Sequence, residues 1–94
     1  IHPGFQLLDA AGPAAAFELA EYYCPGSYSL DMLAPGGGEI ESSSGMRLAA
    51  RPLSVDMPLD TAIISGGEII RSMTAAQEIV AWLRQAGVRR TASV

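Results

Sequence analysis

Thr61-Ala62-Ile63-Ile64-Ser65-Gly66-Gly67 is the stretch on which the fold turns. It is a short, continuous apolar run closed by two glycines. A strand carries that pattern when both its faces are covered, as in a parallel sheet. Downstream, Thr74-Ala75-Ala76-Gln77 has the form of a capping box, in which the Thr hydroxyl accepts from the third helical N–H while Gln reaches back. Ala76, Ile79, Val80 and Leu83 follow at helical spacing with Trp82 on the flank, and Gly87 suits the left-handed position that closes a helix. Arg90-Thr91-Ala92-Ser93-Val94 then returns to a β-prone pattern. Strand, helix, strand is the repeating unit of a parallel sheet with crossover helices.

Upstream the pattern is looser. Gly12-Pro13 introduces a helix over Ala14 to Tyr23, with Pro13 in the first turn, where its missing N–H costs nothing. Ala16, Phe17, Ala20 and Tyr23 would form its buried face, and Glu18 and Glu21 would point outward. Cys24-Pro25-Gly26 ends it. Tyr28 to Ala34 alternates and predicts a strand, Pro35-Gly36-Gly37-Gly38 a turn, and Glu39-Ile40-Glu41 with Met46-Arg47-Leu48 a small β excursion and its return. The fold class is therefore α/β: a flavodoxin-like open, mostly parallel sheet flanked by helices, with a small β excursion. Two helices cannot cover both faces of a complete sheet, so residues 1–94 are expected to form the N-terminal part of one domain.

Composition narrows the function classes. The 94 residues carry a net charge of −4, 17 % are charged, and no apolar run approaches a bilayer span, so no membrane partner is expected. Residues 1–46 hold six acids and no base, while 47–94 hold six Arg against four acids. Direct nucleic-acid binding needs clustered positive charge, and Arg84, Arg89 and Arg90 are better read as a solvated helix end. Cys24 is the single cysteine and His2 the single histidine. No intrachain disulfide can form, no zinc-ligand spacing exists, and a reducing cytoplasm is the expected compartment. Gly36-Gly37-Gly38 lacks the third glycine and the following helix of a dinucleotide loop, so no cofactor is expected. Cys24 lies at a helix end, where a thiolate gains no dipole support, and His2 reads as an ordinary surface residue.

In open parallel sheets ligands bind beyond the carboxyl ends of the strands. If Ile1 ends a strand, Gly4 to Asp9 and Gly66-Gly67 converge there, together with whatever follows Val94. Asp9 is either a helix-entry acid beside an N-terminal dipole or a functional carboxylate. Gly66-Gly67 is either a tight strand exit or a pair of backbone N–H groups offered to an anion or oxyanion.

Gly4-Phe5-Gln6-Leu7-Leu8-Asp9-Ala10-Ala11-Gly12-Pro13 with Phe17-Glu18 resembles the opening of the ThiJ/PfpI (class I glutamine amidotransferase-like) superfamily, specifically the amidase-like domain of GlxA-like AraC-type transcriptional regulators. Ser42-Ser43-Ser44-Gly45-Met46-Arg47-Leu48, Leu59 to Gly67, and Trp82-Leu83-Arg84 with Ala92-Ser93-Val94 match in order, so the resemblance covers nearly the whole chain. It implies that Asp9 is the catalytic carboxylate where members are enzymes, sharing a proton with a thiol on a strand-to-helix elbow that normally follows the run similar to Ala92-Ser93-Val94. It also implies that the Gly67 N–H faces an oxyanion, and that Gly66, Gly67 and Glu68 bind ligand. Members commonly have Pro where this chain has Ser65.

In the regulators the same domain is thought to sense a small molecule and to dimerise, with DNA read only by a helix-turn-helix region farther along. The resemblance thus implies a ligand-sensing, dimerising domain, with a small-molecule ligand and a second copy of the chain as partners. The competing expectations are a free-standing cysteine hydrolase or isocyanide-hydratase-like enzyme, and an interaction domain without a working pocket.

Overall fold

The computed structural model describes residues 1–67 and 73–93. Its elements run α1 (Leu7–Tyr23), β1 (Leu33–Ala34), β2 (Gly38–Glu41), β3 (Arg47–Pro52), β4 (Thr61–Ile64), α2 (Met73–Ala86) and β5 (Arg90–Ser93). The fold is α/β and partly parallel. β3 is the centre of a three-stranded sheet, parallel to β1 and antiparallel to β2, and β4 pairs with β5 in a second, parallel sheet.

The β excursion is the hairpin β2–β3, with Ile40 opposite Leu48 and Glu41 opposite Arg47. Its entry is the glycine turn: Gly36, Gly37 and Gly38 all have positive φ, and a Cβ on Gly37 would meet the Pro52 ring and backbone at 2.8 Å. β4 and β5 lie in register from Thr61 opposite Arg90 to Ile64 opposite Ser93, so the run that decided the fold is a parallel strand, but its faces are not both covered as expected: Thr61 and Ile63 are exposed and Ala62 and Ile64 half-buried. The Asp60 carbonyl accepts from both Arg89 and Arg90 N–H at 3.1 Å and pins the start of that pairing. Gly87 closes α2 with φ of 64°.

The strand expected over Tyr28 to Ala34 shrinks to Leu33–Ala34. Residues 28–31 are exposed, and alternation alone cannot hold a strand that has no neighbour to pair with. The first helix differs in the opposite sense. It begins at Leu7, because the Gln6 side chain accepts from Leu8 N–H and the Gln6 carbonyl from Asp9 N–H. Pro13 therefore lies within the helix rather than in its first turn, and the Asp9 carbonyl lacks the donor that a non-proline residue would supply. Only Ala10 of α1 is buried; Ala16 and Tyr23, expected inside, are exposed.

In α2 the buried positions are Ile79 and Trp82, whereas Val80 is exposed. Trp82 is thus part of the inner stripe rather than its flank, and its indole N–H donates to the Ser54 carbonyl at 2.9 Å. Thr74, expected ahead of the first turn, is itself helical, since α2 already includes Met73. The core gathers Phe5, Ala10, Ala34 and Ile40, with Ile1, Leu7, Leu48 and Ala50 packed against it. Phe5 is fully buried and makes a parallel bridge to Ser42 and an antiparallel one to Gly67. One residue therefore joins the two sheets.

Candidate functional site

The site grows out of that join. His2-Pro3-Gly4-Phe5 is a tight turn: Phe5 N–H donates to the His2 carbonyl at 3.0 Å, and Gly4 has φ of 82°, the type II arrangement that Pro-Gly favours. Gly4 N–H then donates to Glu41 O at 2.9 Å, Ser43 N–H to Phe5 O at 2.8 Å, and Gln6 N–H to Gly66 O at 2.8 Å. These bonds carry the chain across the carboxyl end of β4 and straight into α1, whose first turn holds Asp9.

The bridge between Phe5 and Gly67 is of the narrow kind. Phe5 N–H goes to His2 and Phe5 O to Ser43, so the two bridged residues exchange no hydrogen bonds and their Cα atoms come close. A Cβ on Gly67 would stand 2.5 Å from Gly4 O, 2.8 Å from Phe5 Cα and 3.0 Å from His2 Cε1, at a φ of 152°. Only glycine fits.

Asp9 and the glycine pair are brought together. Asp9 Oδ2 accepts from Gly66 N–H at 3.2 Å, on a carboxylate that is partly buried at a helix N-terminus. Gly66 consequently spends both backbone groups internally, its N–H on Asp9 and its C=O on Gln6. Gly67 differs. In a trans peptide the N–H points opposite to the preceding C=O, and Gly66 O points at Gln6, so Gly67 N–H is directed away from the 4–6 segment. Of the candidate ligand-binding residues, Gly67 carries the outward donor, Gly66 shapes the turn, and Glu68 lies outside the described residues.

His2 is the residue the sequence reading misplaced. It is not a surface residue: it is buried at 8 % exposure, with Nε2 at 3.1 Å from Ser65 O and Nδ1 at 3.2 Å from Pro3 O. The Pro3-Gly4 turn beside it is legible, but no local pattern marks the contact with residue 65 that buries the ring. Ser65 is also buried, and its hydroxyl has no hydrogen-bond partner among the described residues.

Elsewhere, a shallow, open depression of about 480 Å³ lies between Leu53–Asp56 and α2, lined by Asp56, Glu78, Trp82 and Gln85. It shares no residue with the Asp9–Gly67 junction, where the Gly66 N–H meets the Asp9 carboxylate, and the junction is the stronger candidate. Cys24 is exposed at the far end of α1. There Glu21 accepts from Gly26 N–H at 2.6 Å and Tyr28 N–H at 2.7 Å, and those two donors, Tyr28 foremost, hold its carboxyl below the usual carboxylate range. Among the described residues no three His, Cys, Asp or Glu side chains group as a metal ion requires, and no helix is long and apolar enough to cross a membrane.

Comparison with known protein families and with curated proteins gives no match for this chain.

Proposed function

We propose that this chain is the leading part of the ligand-sensing and dimerisation domain of an AraC-type regulator, within the ThiJ/PfpI superfamily that its sequence resembles. One observation carries the reading: a carboxylate, Asp9, is bonded to the backbone N–H of Gly66, next to Gly67, at the carboxyl end of a parallel strand. That is where open α/β sheets bind small molecules. Gly67 N–H suits a polar ligand that brings an acceptor, as a small amide does. The net charge of −4 fits a module that leaves DNA contacts to another domain.

The test uses the full-length protein, with thermal shifts measured across a panel of small amides and nitriles. Binding that Asp9→Asn weakens at least tenfold, in a dimer with a helix-turn-helix region that binds DNA, is the expected outcome. A parent reading frame without such a region overturns the regulator reading.

The direction of the Gly67 N–H favours a second reading, a cysteine hydrolase or isocyanide-hydratase-like enzyme, because oxyanion stabilisation needs such a preorganised donor. Turnover by the full-length protein that falls by two or more orders of magnitude in Asp9→Asn would establish it. Undiminished turnover in that variant would remove Asp9 from the mechanism.

A further inference from the structure

The His2 and Asp9 contacts fall on the same peptide unit. His2 Nε2 lies 3.1 Å from Ser65 O, and Asp9 Oδ2 accepts from Gly66 N–H at 3.2 Å. Ser65 C=O and Gly66 N–H are the two ends of one trans peptide plane and point in opposite directions. We propose that His2 is a positioning residue of the site, clamping the Ser65–Gly66 peptide from the face opposite Asp9 and thereby fixing where Gly67 presents its N–H. The inference rests on the proposed reading of Asp9 and Gly67 as ligand-facing groups, but the clamp itself can be measured without ligand.

The chemistry assigns direction to each bond. A carbonyl oxygen only accepts, and of the ring's two carbonyl contacts the shorter is that of Nε2 with Ser65 O, 3.1 Å against 3.2 Å from Nδ1 to Pro3 O; in the clamp Nε2 carries the proton and donates to Ser65 O, and Gly66 donates in turn to the carboxylate. Donation into the carbonyl draws electron density from the amide and strengthens the N–H bond to Asp9, so the two contacts reinforce each other. The next plane is held as well, because Gly66 O accepts from Gln6 N–H at 2.8 Å. With both planes fixed, Gly67 N–H has one direction left. Packing supports the same role: His2 is buried, and its Cε1 is one of the atoms that a Cβ on Gly67 would strike. A buried imidazole is costly unless bonded, and this one is bonded to the turn that carries the site.

The test is amide exchange and ring ¹⁵N spectroscopy on the intact protein. His2→Phe keeps a ring but removes the donor, and His2→Gln restores a donor. In His2→Phe the Gly66 amide is expected to exchange at least tenfold faster and to shift upfield, while the amides of α2 keep their protection; His2→Gln recovers most of the Gly66 protection, and Asp9→Ala, which removes the acceptor, reproduces the loss. Unchanged Gly66 exchange and shift in a folded His2→Phe protein overturns the clamp. Should His2→Phe not fold, the wild-type ring decides: an Nε2 with the ¹⁵N shift and attached proton of a donor supports the proposal, and a bare Nε2 overturns it. Failure of every amide or nitrile to move the Gly67 resonance, with the Gly66 signature intact, would remove the ligand reading and leave the clamp standing.

Discussion

At position 67 a single methyl group has nowhere to go. Its three nearest neighbours would be two backbone atoms and a buried ring carbon, none farther than 3.0 Å, so relief requires the 4–6 segment to move. Gly67→Ala is expected to destabilise the protein by roughly 2–4 kcal/mol, read as a lower urea midpoint at unchanged slope. An unchanged midpoint would mean that Phe5 and Gly67 do not pair closely. Ser65 offers the contrary case. Its hydroxyl is buried with no partner among the described residues, so Ser65→Ala removes a desolvated polar group and is expected to raise stability by up to about 1 kcal/mol in the same measurement. The places of Asp9 and Gly67 were legible in the sequence because their residue types constrain their backbone settings: an acid at a helix entry and a glycine closing an apolar run. His2 was not legible, since its burial comes from a contact with residue 65, far along the chain, that no local pattern encodes.

The elements that the sequence predicted well are those fixed by local chemistry: β4, the hairpin β2–β3 with its glycine turn, and the glycine closing α2. Those it misread depend on neighbours. Pro13 looked like a helix start because proline is favoured there, yet Gln6 caps earlier and the helix runs through it. Pro13→Ala restores a donor to the Asp9 carbonyl and is expected to stabilise the protein by on the order of 1–3 kcal/mol, with increased helical circular dichroism. No gain in either would show that the helix compensates for the lost bond. At the other end of α1, Glu21 latches the 24–28 loop through two backbone donors. Its folded carboxyl lies below the unfolded value of 4.5, so the latch is fully formed above that pH and is lost as pH falls through the lower, folded value. In Glu21→Gln the amides of Gly26 and Tyr28 are expected to exchange faster at neutral pH, and the acid-side pH dependence of loop opening to flatten. Identical profiles in both proteins would deny the latch.

Across the whole molecule the two sheets are held together at Phe5, with flanking bonds from Gly4, Gln6 and Ser43. This arrangement has a kinetic consequence. The hairpin closes a short loop, whereas Phe5 must find Ser42 and Gly67 from the other end of the chain, and loop-closure entropy makes such contacts late. During refolding, amides of Ile40 and Leu48 should gain protection before those of Gln6 and Ser43, measured by pulsed hydrogen exchange; the reverse order would place the nucleus at the chain's beginning. Because Asp9 and His2 reach the Ser65–Gly66 peptide only once that segment has docked, the first order would make the proposed site the last part of the molecule to assemble. By the same logic it would be the first to open, so a ligand seated there would slow unfolding more than it speeds folding.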